Sequence, residues 1–282
     1  MTDAAIEKDL AGWTAIVTGS SRGIGRAIAL ELAARGASVV LAARTVVSQP
    51  PWAKETIHDT AREITEAGGR ALACAVDVRD EAQVRAMVAD ALDAFGSVDA
   101  LVNNAGAFKL KPAVSMTPRE LQLVLDVNVA GAFNCIAAAL PHLSRSARAH
   151  IVNVAPPLRT ESYWAAGKLA HAVSKFALTT LTLGLADELR PARIAVNALW
   201  PKTPIATIGI ERLGGEALVR MARKPEIMAQ AVAAIVASDA TGRCLLDEDV
   251  LRAQGVTDFS RFAVDPTMPL APNYFVDLAE LV

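Results

Sequence analysis

"TGSSRGIG", residues 18–25, follows the apolar run "TAIV" at 14–17 and opens a stretch in which Ile24, Ala27, Ile28 and Leu32 repeat at helical spacing as far as Gly36. The order is strand, glycine turn, helix. Glycines at 19, 23 and 25 let the chain turn sharply and bring its backbone close to a ligand. The helix N-terminus then offers unpaired N–H groups to an anion such as the pyrophosphate of a dinucleotide. A structural βα turn also favours glycine, so the surroundings must decide between the two readings.

Outward from this turn, short β-branched runs alternate with helical stretches: "SVVLAA" at 38–43, "ALACAV" at 71–76, "DALVN" at 99–103, "HIVNV" at 150–154, "IAVNAL" at 194–199 and "RCLL" at 243–246. Near-continuous apolar strands in such an alternation predict an α/β fold. The expected architecture is one doubly wound parallel sheet of about seven strands with helices on both faces, in a single domain over 1–282. A further helix is expected from about Glu81 to Phe95, closed by Gly96. Proline and glycine punctuation predicts irregular connections at 45–59 and 201–215.

Composition narrows the function classes. A net charge of −2 and no run of basic residues give no support for nucleic acid or an anionic membrane as partner. The acidic N-terminus lacks the order of a signal peptide, and the apolar runs read as too short to span a bilayer, so a cytoplasmic protein is expected. Three widely spaced cysteines suit reduced core residues, and four scattered histidines show no metal-ligand spacing, so no metal site is expected.

Taken together, the glycine motif, "NNAG" at 103–106, "CAVDVRD" at 74–80, Asn128 in "DVNVAGAF", "SK" at 174–175 and "TGRCLLDE" at 241–248 resemble the short-chain dehydrogenase/reductase superfamily, of Rossmann type. "NVAPPL" at 153–158, "VNALWPKTPI" at 196–205 and "KPEIMAQAV" at 224–232 are similar to its hydroxysteroid dehydrogenase-like branch. The resemblance implies a dinucleotide site at Gly19, Ser21, Arg22, Gly23, Ile24 and Gly25, at Asn104, Ala105 and Gly106, and at Lys175. It further implies that Asp77 and Val78 edge the adenine, and that Pro201 and Thr203 lie over the nicotinamide. A substrate lid at about 202–223, a C-terminal tail at about 247–282, and a homodimer or homotetramer paired partly through apolar residues at 173, 181 and 185 are likewise implied. Ile205, Ile208, Ile210 and Leu213 in that lid suggest a partly apolar small-molecule substrate.

Charge indicates which dinucleotide. "LAARTVV" at 41–47 has no carboxylate where one commonly binds the ribose hydroxyls of NAD, and it supplies Arg44, with Arg22 coming from the glycine loop. Two guanidiniums at these positions favour the extra phosphate, so NADP(H) is expected over NAD(H).

The catalytic pattern departs from the family's. Asn128 and Lys175 are present, but the tyrosine position four residues before the lysine is His171, and the serine position falls on Ala155, Pro156 and Pro157. Thr160 and Ser162 are the nearest hydroxyls, Tyr163 is expected to border the pocket and joins His171, Lys175 and Asn128 as a candidate catalytic residue, and Tyr274 lies in a tail able to fold over it. An imidazole with an ordinary pKa near ~6.5 exchanges protons at neutral pH, and a cationic Lys175 one turn away favours its neutral form. Three readings stay open: an oxidoreductase in which His171 replaces tyrosine, a non-redox enzyme using it as a base for dehydration, isomerisation or cyclisation, and a silent dinucleotide-binding protein.

Overall fold

The computed structural model describes residues 8–48 and 55–277. Its strands are β1 (Thr14–Thr18), β2 (Ser38–Ala43), β3 (Arg70–Ala75), β4 (Ala100–Asn103), β5 (Ala149–Val154), β6 (Ile194–Trp200) and β7 (Cys244–Leu246). They form one sheet in the order β3-β2-β1-β4-β5-β6-β7, every pair parallel. The chain therefore reverses its winding between β1 and β4, and ligands of open α/β sheets bind beyond the strand ends at such a crevice.

The helices are α1 (Gly23–Ala34), α2 (Ile57–Glu66), α3 (Glu81–Phe95), α4 (Pro118–Leu125), α5 (Gly131–Leu143), α6 (Leu169–Glu188), α7 (Ile208–Arg220), α8 (Glu226–Val236) and α9 (Asp247–Ala253). Side chains alternate across the sheet. Ala15, Val17, Val39 and Leu41 join a core with α1 and α8, while Ile16, Val40, Leu101 and Ile151 join another with α3 and α5. Both faces are thus buried, which is why the strands read as continuous apolar runs.

Helix ends follow local chemistry. Asp80 caps α3 by accepting from the N–H groups of Ala82 and Gln83, and Gly96 ends it in the left-handed region at φ 86°. The irregular connection expected at 45–59 is shorter than the sequence suggests, because a capping box between Thr56 and Asp59 starts α2 at Ile57. Residues 49–54 of that connection, the ends of the single-domain reading at 1–7 and 278–282, and thus the last part of the tail lie outside the described residues. The stretch 201–215 is also less irregular than expected: α7 begins at Ile208 and continues past Gly215, which takes up a kink at φ 63°.

Two helical stretches, 118–143 and 169–188, are long and apolar enough to cross a membrane, contrary to the reading of the runs as too short. Both pack on the sheet: Cys135, Ile136 and Leu143 of the first join the core of Ile16, Leu101 and Ile151, and Thr182 of the second accepts from Asn153 of β5 at 2.8 Å. Of the apolar α6 positions expected at a subunit seam, Val173 is exposed, but Leu185 packs into the chain's own core.

Candidate active site

At the strand ends lie two adjoining clefts, one of about 1050 Å³ around the glycine loop and one of about 220 Å³ beside it. Ile24, Asn104, Gly106 and Phe108 line both.

The larger cleft is shaped by backbone. The Thr18 hydroxyl accepts from the N–H groups of Asn104 and Ala105, both at 3.0 Å, and donates to Val102 O at 3.2 Å. Asn104 Nδ2 returns to Thr18 O at 2.9 Å and Gly19 O at 3.2 Å, so the ends of β1 and β4 are stitched together. A Cβ on Gly19 would meet Ala105 Cα and Asn104 Nδ2 at 2.9 Å, and one on Gly25 would collide with Gly19 O. The glycines leave a backbone trough at the start of α1, which suits a pyrophosphate.

Gly19, Ser21, Arg22, Gly23, Ile24, Gly25, Arg44, Asp77, Val78, Asn104, Ala105 and Gly106 all line this cleft, so the predicted cofactor residues on the first four strands come together. Arg22 Nη1 is buried and has no hydrogen-bond partner among the described residues, as a guanidinium awaiting an anion would be. Arg44 is exposed and stands 3.8 Å from Asp77. Hydrogen bonds from Arg79 hold the Asp77 carboxyl below the usual carboxylate range, with Arg44 adding its charge.

The smaller cleft is walled by side chains. Asn128 sits in a π-helical turn, Asp126–Ala130, between α4 and α5, and such turns recur at functional sites. Its amide accepts from Ala107 N at 2.7 Å and donates to Ala107 O at 2.8 Å and to Ser174 Oγ at 2.9 Å. Asn128 therefore fastens the loop after β4 to α6, behind the cleft. Lys175 Nζ donates to Val154 O at 2.6 Å and lies 5.6 Å from the Trp200 ring. Burial pushes its ammonium down to about 8.

His171 lines this cleft with Lys175 and Pro201. Its ring stacks on Phe275 with centroids 5.8 Å apart, faces Trp200 at 6.2 Å, and meets Phe108 edge-on at 6.4 Å. Neither ring nitrogen has a hydrogen-bond partner among the described residues, and Nδ1 is fully buried. Burial first, then the charges of Lys175 and Lys168, push its pKa down to about 3. The direction favours the neutral imidazole, as the sequence suggests, but burial outweighs Lys175 as its cause. So deep a shift also makes it a feeble base.

Four of the positions considered fall elsewhere. Tyr163 is 58% exposed with its ring 4.8 Å from Trp164, outside the lining of either cleft. Its short 3-10 turn, Ser162–Trp164, points away because Trp164, not Tyr163, is the residue packed against the core. Thr203 is buried with its hydroxyl unpartnered and does not line the clefts, whereas Pro201 does. Thr160 and Ser162 are exposed, so no hydroxyl from that loop replaces the absent serine. The sequence did not mark Phe108, Trp200, Asn273 or Phe275 as site residues; the aromatic pair in "PNYF" at 272–275 was their one visible signal.

A parallel sheet with a glycine crossover at the β1/β4 reversal and a nucleotide-sized cleft beyond it defines a dinucleotide-binding α/β fold of the Rossmann type. The profile of the short chain dehydrogenase family matches residues 13–208, and the chain belongs to that family. It is 42% identical over 270 residues to hydroxysteroid dehydrogenase-like protein 2 of Xenopus laevis, covering 95% of this chain and 64% of that relative's length. A solved dehydrogenase structure from Xanthomonas campestris superposes with a TM-score of 0.91 at 42% identity, covering 95% of this chain and 99% of that one. A short chain dehydrogenase from Burkholderia cenocepacia in complex with NADP superposes with a TM-score of 0.72 at 32% identity, over 84% of this chain and 97% of that one. One from Mycobacterium paratuberculosis bound to NAD gives 0.72 at 26% identity, over the same 84% and 97%.

Proposed function

We propose that the protein is an NADP(H)-dependent oxidoreductase acting on an uncharged, partly apolar carbonyl compound or the corresponding alcohol. The observation that carries the cofactor is the buried, unpartnered Nη1 of Arg22 in a cleft where Arg44, and no carboxylate, follows β2. The glycine trough, Asn104 and these two arginines would hold the dinucleotide. The Burkholderia cenocepacia relative bound to NADP supports the choice, although the relative bound to NAD shows that the family accommodates both.

A bound nicotinamide supplies or accepts the hydride. His171, neutral at every physiological pH, donates an N–H to the substrate oxygen and polarises the carbonyl without becoming an imidazolium. A neutral imidazole in this electrophilic role has precedent in enzyme chemistry. Lys175 is the group in the smaller cleft whose proton is exchangeable near neutrality. Because His171 is so weak a base, base-driven dehydration or isomerisation loses its main support. Ile205, Ile210, Leu213, Trp200 and Tyr274 line the smaller cleft, which favours an apolar substrate body, and α7 spans both clefts as a lid. Phe133, Leu169 and Val173, exposed on α5 and α6, support pairing with a second copy of the chain.

Titration with NADPH and NADH, following nucleotide fluorescence, tests the assignment in the wild type and in the double variant Arg22→Ala/Arg44→Ala. The expected result is a loss of about 100-fold or more for NADPH, since each charge-assisted hydrogen bond is worth ~1.5–3 kcal/mol, and little change for NADH. Equal losses for the two nucleotides would remove the arginines from phosphate recognition.

A further inference from the structure

The tail from Ala271 to Val276 is fastened to the scaffold at many points. Ala271 N donates to Met221 O at 3.0 Å, and Asn273 Nδ2 to Pro201 O at 2.9 Å. Trp200 Nε1 donates to Tyr274 O at 2.8 Å, and Arg159 Nε to Phe275 O at 3.1 Å. Phe275, between these anchors, adopts φ 68°, a left-handed conformation that a bulky residue rarely takes. The consequence is that its side chain turns inward. It is wholly buried, and its ring lies against His171, Phe176 and Trp200, at 4.9 Å from Phe176. Backbone held in a sparsely populated region persists only where its surroundings over-determine it, and such residues cluster at functional sites.

We propose that Phe275 is a positioning residue for His171: the tail packs one ring behind the cleft wall against the imidazole, which fixes the plane of the imidazole and keeps water from its buried side. The helix that carries His171 sets only its backbone. Its carbonyl accepts from Ser174 Oγ at 2.9 Å, but no hydrogen bond among the described residues orients the ring. Packing must therefore do so, and the Phe275 ring is the nearest to parallel with it, at 28° between planes.

The charges around His171 are compatible with this role. Lys168 and Lys175 stand on its own helix, Arg159 on the loop after β5 bonds the Phe275 carbonyl, and Tyr274 on the tail takes Lys168 Nζ over its ring at 5.1 Å. The loop after β4 faces it with Phe108, and the nearby Lys109 lies 3.8 Å from Glu120. Among the groups that shift His171, both charges are cationic, so water excluded by Phe275 is the remaining route by which the ring would gain a proton.

The role assigned to Phe275 rests on His171 taking part in the reaction, yet it can be tested without turnover or nucleotide. Ring resonances of His171, assigned by their loss in His171→Gln, would be followed by NMR from pH 8 to pH 5 in 15N-labelled protein. In the wild type they should not titrate. In Phe275→Ala they should titrate with a midpoint between about 5 and 6.5, approaching the ordinary histidine value. Phe275→Leu, which restores an apolar cover, should return them to silence. A silent ring in Phe275→Ala, or identical titration in the alanine and leucine variants, would overturn the proposal. Should the alanine variant not fold, nuclear Overhauser contacts between the Phe275 and His171 rings in the wild type decide it: present, they support the packing role; absent, they refute it. Failure here with intact discrimination for NADPH would leave the cofactor assignment standing.

Discussion

At the glycine end of the cleft, Thr18, Gly19 and Asn104 close on one another through main-chain atoms and two short side chains, with the arginines at 22 and 44 on the rim. At the His171 end the same strand edge is covered by four aromatic rings from the loop after β4, from β6 and from the tail. The first region admits no added atom at Gly19 or Gly25, where a Cβ would strike backbone. In the second, the ring at 171 touches other side-chain rings, and no hydrogen bond among the described residues runs through it.

Breaking the glycine end should give the largest effect. Gly25→Ala forces a methyl group against Gly19 O and Asn104, and is expected to destabilise the protein by about 3 kcal/mol and to abolish dinucleotide binding. Denaturant unfolding together with nucleotide titration measures both, and a stable variant that still binds would show that the trough has room to spare.

Lys175→Met sharpens the other side. Because the folded pKa of about 8 lies below the ordinary 10.5, the unfolded chain binds more protons between those values, and stability from this group rises with pH across that window. From pH 7 to pH 10 the wild type should gain ~2–3 kcal/mol relative to the methionine variant, because each tenfold difference in proton affinity between the folded and unfolded chain is worth about 1.36 kcal/mol. Parallel stability curves for the two proteins would mean that Lys175 is solvated rather than sealed in. The smallest change is expected from Tyr163→Phe, which removes a hydroxyl outside both clefts: stability within ~0.5 kcal/mol of wild type, and turnover, once a substrate is found, unaltered. A clear loss of turnover would bring Tyr163 back among the catalytic groups.

The same contrast explains what could be read from the sequence. Strand after strand lay within a residue or so of its expected place, because apolar runs buried on two faces and helices ended by Asp80 and Gly96 are written locally. The glycine turn at the end of β1 was equally legible, since close backbone approach demands glycine at fixed spacing. The start of α2 was missed because a Thr56–Asp59 capping box inside a polar, proline-rich connection is a weak mark. His171 was visible as a departure, but not its state: the rings that desolvate it come from positions 108, 200 and 275, far apart in the chain. Tyr163 looked close in sequence and is turned away in space, because its neighbour Trp164 takes the inward position.

The excursion between β6 and α8 leaves and re-enters the scaffold at one place. Ile205 and Arg223 bridge as parallel partners, Ala206 N donates to Arg223 O at 2.8 Å, and Arg223 N donates to Pro204 O at 2.9 Å. Arg223 is itself held from beneath by a buried ion pair with Glu248. Ends that are already fastened to each other make the intervening segment a cassette. Its length and composition can be exchanged without disturbing the register of the sheet, so one insertion can reshape the wall of both clefts while the strands beneath keep their pairing.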